Sequence, residues 1–276
     1  MSISLSKLQS RPRIFLRLLG VTPQDFKIIT KKCTPLWDSR LQNKKKVSGR
    51  PYGLKDLEHH ILCLLLYYRC YTSQLFLGFL FDIDDSCVCR SIKRLEPILA
   101  CVMGIKKDRT LTEKELCEII VDCTEQPIQR PKKGQKKYYS GKKKRHTLKT
   151  EIRITGEGKI KGVSRPRAGK IHDFEIFKKE KPLPPHCRIY ADSGYQGLDK
   201  RHKQTETPYK KPKGGKLSVD EKEYNRGLSS FRVRVENKIR DLKTFNILSQ
   251  TYRNFRKGYG IKFTIIAGIV NLKSGF

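Results

Sequence analysis

The chain has 276 residues and carries 60 Lys and Arg against 27 Asp and Glu, which gives a formal net charge of +33. This excess is far larger than solubility requires, so a polyanion is the expected partner. Hydrophobic residues make up 37% of the chain and recur in periodic blocks, which excludes a disordered cationic tail. The length suits two modules, a smaller one and a larger one.

The nine cysteines form no Cys-x-x-Cys pair and match no His spacing, so a zinc site is not expected. Reduced thiols of a cytosolic protein are the better interpretation. The first ten residues lack an apolar segment of signal-peptide length, and no apolar run reaches the roughly 18 residues that a membrane span needs. The sequence therefore predicts a soluble, cytoplasmic protein with no membrane partner.

The N-terminal part is predicted to be helical. The first forty residues favour short helices, residues 44–51 an exposed link, and apolar residues at helical spacing from 54 to 68 a buried helix. Segments 73–81 and 86–99, separated by a turn at 82–85, have helix-turn-helix spacing. The second of them carries basic residues opposite its apolar face, and these are predicted DNA contacts: Arg90, Lys93 and Arg94. The alternative is a helical subdomain that only packs.

From residue 117 the pattern changes to strands. Two short apolar runs, 117–122 and 187–192, each end in an acid, and 146–155 and 159–164 are predicted to pair as a hairpin across 156–158. A helical turn is predicted at 173–179 and a long helix at 219–245. A final apolar helix at 263–272 is expected to close the core. Together these elements indicate an α/β fold.

Asp122 and Asp192 stand at the ends of the two apolar runs. An acid at the end of a buried strand is costly unless something pairs with it, so the two predict a shared cation at the edge of a sheet. Glu236, on the long helix, is the candidate third ligand, and it shares a helix face with Arg232 and Lys243. Carboxylate oxygens suit Mg²⁺ or Mn²⁺. The alternative for Glu236 is an exposed helix with internal ion pairs.

Five segments resemble, in order, the motifs of bacterial insertion-sequence transposases of the DDE superfamily. They are residues 121–125, 139–149, 172–174 and 191–197, and the pattern Arg232-x3-Glu236-x6-Lys243. The helical segment at 45–100 resembles the helix-turn-helix that precedes the catalytic domain in that family. The resemblance implies an α/β fold with a ribonuclease-H-like mixed sheet flanked by helices. It implies a smaller all-α helix-turn-helix domain at 1–105 and a catalytic domain at 106–276.

The resemblance also implies the chemistry. Asp122, Asp192 and Glu236 are the expected catalytic acids and the ligands of two Mg²⁺ (or Mn²⁺) ions, which suits cleavage at the ends of an insertion sequence and joining of the freed 3′-OH to target DNA. The expected partner is double-stranded DNA, both terminal inverted repeats and target. A homodimer or larger assembly on DNA is expected, in the cytoplasm of a bacterium and associated with its nucleoid.

Other basic residues and two histidines are candidates for supporting roles. The run 132–149, with tyrosines at 138 and 139, suits a track for the DNA backbone, and a solvated charged loop is the alternative. Within that run the predicted DNA contacts are Lys142, Lys143, Lys144 and Arg145. Arg232 and Lys243 are expected to face DNA phosphates or to neutralise the acids. His146 and His172 either orient the substrate or are structural.

Two other functions compete with transposition. A DNA-binding protein derived from a transposase would keep the fold and lack catalysis. A basic RNA-binding or ribosome-associated protein would explain the charge, but it leaves the two strand-end acids without a purpose.

Overall fold

The computed structural model describes residues 3–42, 52–105 and 117–276. The chain divides into two compact units, which we call the helical unit (1–104, 242–250 and 255–276) and the sheet unit (105–241 and 251–254). The sequence assigned everything after 105 to one domain, whereas the helical unit includes the C-terminal helix. The predicted link at 44–51 lies outside the described residues.

The helical unit contains most of the helices. Their bounds are α1 (Leu5–Gln9), α2 (Pro12–Leu19), α3 (Pro23–Gln42), α4 (Leu57–Cys70), α5 (Gln74–Phe81), α6 (Asp85–Val102) and α10 (Tyr259–Lys273). Helix α3 is longer than the short helices predicted for this region, because it continues through Pro35. Ser73 begins α5 by accepting a hydrogen bond from the Phe76 amide, and Asp82, in the left-handed region, ends it. The predicted helix pair at 73–99 is therefore present.

Helix α10 packs against α6. A Cβ on Gly268 would lie 1.6 Å from the carbonyl oxygen of Met103, so only glycine permits this approach of the two backbones. Lys262 of α10 forms an ion pair of 2.7 Å with Glu96 of α6, and the Tyr68 hydroxyl donates to the same carboxylate at 2.8 Å. The predicted apolar C-terminal helix thus completes the core of the helical unit, whereas the catalytic domain predicted from the sequence, 106–276, included it.

The sheet unit is a mixed sheet with the described strand order β2-β3-β1-β6-β7. The strands are β1 (Glu118–Pro127), β2 (Tyr139–Ser140), β3 (Arg145–Thr155), β4 (Ile160–Val163), β5 (Arg167–Ala168), β6 (Arg188–Tyr190) and β7 (Thr205–Glu206). Strands β4 and β5 pair with β3, and β1-β6 and β6-β7 are the parallel pairs. The predicted hairpin of β3 and β4 is confirmed.

Strand β1 is longer than predicted. The sequence ended it at Asp122, but its antiparallel pairing with β3 continues as far as Pro127 opposite Thr147, so that prediction was wrong. Its parallel pairing with β6 stops earlier, at Ile120 opposite Tyr190. Beyond Ile120, β1 therefore lacks β6 as a neighbour, and that side is paired again only at the end of the strand, where the Tyr252 amide donates to the Pro127 carbonyl at 2.8 Å.

Three helices accompany the sheet: α7 (Gln135–Tyr138), α8 (Asp173–Phe177) and α9 (Val219–Lys243). Helix α9 lies along β6, where the Phe231 ring packs on the Tyr190 ring at 4.3 Å between centroids. Side chains of β1, β6 and α8 form one buried core with Tyr195 and Leu198. In the part of the chain that the structure describes, no helix is both long and apolar enough to cross a lipid bilayer.

Candidate acid site and nucleic-acid interface

Asp122 and Asp192 stand at matching positions on two neighbouring parallel strands. The last paired residues of β1 and β6 are Ile120 and Tyr190, and each acid follows two residues later. Parallel neighbours are about 4.8 Å apart, so this register brings the two acids together just beyond the last parallel pair of β1 and β6. The sequence predicted this meeting, and the pairing of β1 with β6 gives its structural basis.

Asp192 begins the turn 193–195 and is held by it. Its Oδ1 accepts a hydrogen bond of 2.7 Å from the Gly194 amide. A Cβ on Gly194 would lie 2.9 Å from this oxygen and 3.0 Å from Oδ2 of Asp173. The carboxylates of Asp192 and Asp173 therefore face each other across Gly194, and the absent side chain leaves room for both.

Asp173 is a member of the acid site that the sequence analysis did not select. Its Oδ1 forms an ion pair of 2.9 Å with Lys149 of β3, whose ammonium also donates to the Ile171 carbonyl at 2.9 Å and lies 3.6 Å from a Glu125 oxygen. Lys149 stands directly opposite Glu125 in the β1-β3 register. The His-Asp pair at 172–173 was the sequence signal for this segment, but only His172 was predicted from it as a functional residue.

The surroundings of Asp122 disfavour a bare negative charge. Burial raises the pKa of its carboxyl to about 6; the guanidinium of Arg232 opposes this rise, and the carboxylates of Asp192 and Asp173 add to it. Its Oδ1 accepts a hydrogen bond of 2.7 Å from the Cys123 amide. Nε of Arg232 is buried without a hydrogen-bond partner. The site therefore contains both a carboxyl whose ionisation is disfavoured, that of Asp122, and a hydrogen-bond donor without an acceptor, Nε of Arg232.

Glu236 lies one helical turn after Arg232 on α9 and is exposed to solvent. Side chains four residues apart on a helix are neighbours, so Glu236 shares the face of α9 whose Arg232 acts on Asp122. Among the described residues, no three His, Cys, Asp or Glu side chains are already grouped closely enough to hold a metal ion. Carboxylates at ligand distance from one another repel unless a cation lies between them.

A buried polar network supports the strand that carries Asp122. The Tyr195 hydroxyl lies 3.2 Å from Cys123 Sγ and donates to Glu151 at 3.4 Å, and Arg153 Nε donates to the same carboxylate at 2.8 Å. Burial raises the pKa of Glu151 to about 7, against the lowering effect of Arg153. The turn after Asp192 is thus linked to the residue next to Asp122.

The basic residues of α6 differ in accessibility. Arg90 and Lys93 are exposed, whereas Arg94 is half-buried with its guanidinium 3.7 Å from the centre of the Tyr52 ring. The Arg94 carbonyl accepts a hydrogen bond from Arg40 at 3.0 Å. Lys93 and Arg90 present exposed cations, although the Arg90 guanidinium also donates to Ser86 Oγ and Cys87 Sγ at 3.1 Å, while Arg94 is partly occupied in packing.

The basic turn between β2 and β3 is fully exposed, and it contains the residues predicted there: Lys142, Lys143, Lys144 and Arg145. Next to it, the His146 ring meets the edge of the Tyr139 ring at 5.8 Å, and Tyr139 is itself exposed. His172 is exposed and directly precedes α8. Lys243 ends α9, two turns after Glu236. All nine cysteines are free thiols.

A model of the DDE superfamily endonuclease family matches residues 121–271, and a model of the helix-turn-helix of DDE superfamily endonucleases matches residues 52–105. The probable transposase for insertion sequence element IS702 of Microchaete diplosiphon is 38% identical to this chain over 280 aligned residues, which cover 95% of each chain. The chain belongs to the DDE superfamily of insertion-sequence transposases. No solved structure matches it.

Membership of the DDE superfamily confirms the resemblance found from the five motifs. The two matched models also indicate that DNA is the ligand of this transposase, through a helix-turn-helix and an endonuclease domain. The helix-turn-helix match covers α4, α5 and α6, and the endonuclease match begins one residue before Asp122. Divalent metal ions are the cofactors of the superfamily.

Proposed function

We propose that this chain cleaves DNA at the ends of an insertion sequence and joins the freed 3′-OH to target DNA, with Asp122, Asp192 and Glu236 as the catalytic acids. The observation that carries this proposal is the register of β1 and β6, in which Asp122 and Asp192 each follow two residues after the last parallel pair. A ribonuclease-H-like fold is part of the proposal, because α9 flanks a mixed sheet with β1 between an antiparallel and a parallel neighbour.

The residues present fit two Mg²⁺ or Mn²⁺ ions. Asp122, Asp192 and Glu236 offer only carboxylate oxygens, the donors that these hard cations prefer. A divalent cation held by Asp122 and Asp192 would also offset the burial and the carboxylate repulsion that raise the pKa of Asp122. When bound, such ions supply activation of a water and stabilisation of the departing 3′ oxygen.

The side chains around the acids bind and orient DNA. Arg232, with an unsatisfied Nε beside Asp122, is placed to donate to a phosphate oxygen at the acid site. Arg90, Lys93 and, less freely, Arg94 contact DNA from the helix-turn-helix. Lys142, Lys143, Lys144, Arg145 and Lys243 bind phosphates farther along, and His146 and His172 support the substrate. A homodimer or larger assembly, associated with the nucleoid, holds the terminal inverted repeats and the target. Residues 1–105 form the DNA-binding domain and residues 106–276 the catalytic domain.

The test is metal-dependent nicking of a plasmid that carries the inverted repeats flanking the gene. Asp122→Asn, Asp192→Asn and Glu236→Gln keep the shape of each side chain and remove its charge. Each is expected to lower nicking by about 10³-fold or more, because lost metal ligation removes several kcal/mol of charge stabilisation. DNA binding, measured by electrophoretic mobility shift, is expected to persist.

Asp199→Asn is the matched control, since Asp199 is an exposed acid in the turn seven residues after Asp192. It is expected to nick at the wild-type rate. Nicking by Asp192→Asn at the rate of this control would refute the assignment of the acids. Binding without any nicking by the wild-type chain would instead identify a DNA-binding protein without catalytic activity.

A further inference from the structure

A lysine-rich segment precedes α9 and belongs to none of the sites described above. We call residues 207–217 the lysine loop; it follows β7 and contains no acid. It carries four exposed lysines: Lys210, Lys211, Lys213 and Lys216. Its Tyr209 ring is also exposed, with 52% of the residue accessible to solvent.

The lysine loop is fastened to the beginning of α9. The Tyr209 amide donates to Asn225 Oδ1 at 2.9 Å, and Asn225 Nδ2 donates to the Tyr209 carbonyl at 3.1 Å. The Tyr209 ring packs against the Tyr224 ring with centroids 5.0 Å apart, and the Tyr224 hydroxyl donates to Glu206. An ordinary solvated run of lysines would have none of these contacts. The backbone next to the lysines is therefore held in place at Tyr209.

Adjacent ammonium groups beside an accessible ring match the chemistry of a nucleic-acid strand. Lysines neutralise backbone phosphates, and an aromatic ring offers a surface on which a base or sugar packs. Ring and backbone are already ordered by Asn225 and Tyr224, so binding costs less conformational entropy than it would for a free loop.

Helix α9 sets the distance between the base of the lysine loop and Glu236. Asn225 and Glu236 are both on α9, 11 residues apart in sequence, which corresponds to about 16 Å along the helix axis. Phosphates of one strand of duplex DNA are spaced by about 3.4 Å along its axis. We propose that DNA runs along α9, so that the lysine loop and Tyr209 bind the DNA backbone and an adjoining base or sugar about five nucleotides from the phosphate cleaved at Glu236. The distance rests on the proposed function, which places cleavage at Glu236.

Photocrosslinking tests the position. Substrates carry 5-iodouracil at single positions from 1 to 15 nucleotides on either side of the cleavage point, and irradiated complexes of the full chain are mapped by peptide mass. We expect the crosslink to Tyr209 to be strongest near the fifth nucleotide. Absence of any crosslink within 207–217, or a maximum beyond the tenth nucleotide, would overturn the proposal.

Salt dependence of binding tests the contacts. Changing Lys210, Lys211 and Lys213 together to Gln is expected to flatten the slope of log K against log salt by about 2.7, since each duplex phosphate contact contributes about −0.9. The matched control changes Lys200, Arg201 and Lys203 to Gln, three exposed cations in the turn before β7, and is expected to leave the slope unchanged. Equal slopes for the two triple variants would refute the lysine loop as a DNA contact.

Tyr209→Ala and Tyr209→Phe test the ring. Loss of a stacking ring weakens binding by about 5- to 100-fold, whereas Phe keeps the ring and is expected to bind as the wild type does. Equal binding by the Ala and Phe variants would remove Tyr209 from the proposal. Glu236→Gln separates the two proposals: normal nicking by that variant would refute Glu236 as a catalytic acid, while the salt slopes would still decide whether the lysine loop binds DNA.

Discussion

Gly194→Ala probes the closeness of the two carboxylates across the turn. The new Cβ would lie 2.9 Å from Oδ1 of Asp192 and 3.0 Å from Oδ2 of Asp173. Carbon and oxygen normally approach no closer than about 3.3 Å, so both carboxylates must move by about 0.3–0.4 Å. The backbone itself tolerates alanine, because Gly194 does not have the positive φ of the turn glycines.

The expected effect follows from the precision that catalysis requires. Catalytic groups are held within about 0.5 Å of their productive geometry, and a displacement of about 1 Å can lower the rate by 10²-fold. Displacements of about 0.3–0.4 Å at two carboxylates, one of them a proposed metal ligand, should lower nicking by about 4- to 10-fold. The fold is expected to persist, because the turn lies at the edge of the sheet and its residue 194 is exposed.

The assay is metal-dependent plasmid nicking, with thermal unfolding measured on the same samples. Gly227→Ala is the control, since nothing lies within 4 Å of a Cβ on this helical glycine. A Gly194→Ala variant that nicks at the rate of this control would contradict the inferred closeness of Asp192 and Asp173. Adding Asp173→Ala to Gly194→Ala removes one of the two clashes, so a second test is whether it relieves part of the defect.

Two further predictions concern stability. Burial raises the pKa of Glu151 from 4.5 to about 7, so the folded chain binds the extra proton, and this group should lower the free energy of unfolding by on the order of 3 kcal/mol between pH 5 and 8. Urea unfolding should show a decline that is smaller in Glu151→Gln than in the wild type, because Asp122, whose pKa is also raised, still contributes. An identical decline in Glu151→Gln and in Glu157→Gln, the exposed-acid control, would count against it. Lys149→Met leaves Asp173 and Glu125 without their buried cation, so we expect the free energy of unfolding to fall by about 3–5 kcal/mol. Lys142→Met, in the exposed turn, is the control and should change it by almost nothing. Equal unfolding midpoints for the two variants would show that the ion pairs contribute little.

The acids at the strand ends were predictable because an apolar run that ends in Asp is a local pattern. Asp122 and Asp192 each follow such a run, and only their pairing in register needed the structure. The end of β1 was predicted wrongly, since the residues after Asp122 remain in the strand through pairing with β3, which no local pattern reports.

Asp173 and Lys149 escaped prediction for a tertiary reason. Lys149 stands in a run of cations that looks solvated, yet its position opposite Glu125 buries it and directs it to Asp173. The position of α10 could not be predicted for a similar reason. Its apolar sequence indicates that the helix is buried but does not indicate which of the two cores it packs in. The lysine loop could not be predicted because the residue that holds Tyr209 in place, Asn225, is 16 residues away in sequence.

The packing of α10 on α6 has a consequence for synthesis of the protein. Gly268 and Lys262, which complete the core around the helix-turn-helix, follow the whole sheet unit in the chain and so leave the ribosome after it. We expect nascent chains, and copies with a stop codon before α10, to lack a complete helical unit. An incomplete transposase would then be a poor competitor for the element's ends, so a damaged gene would not block an intact one in the same cell.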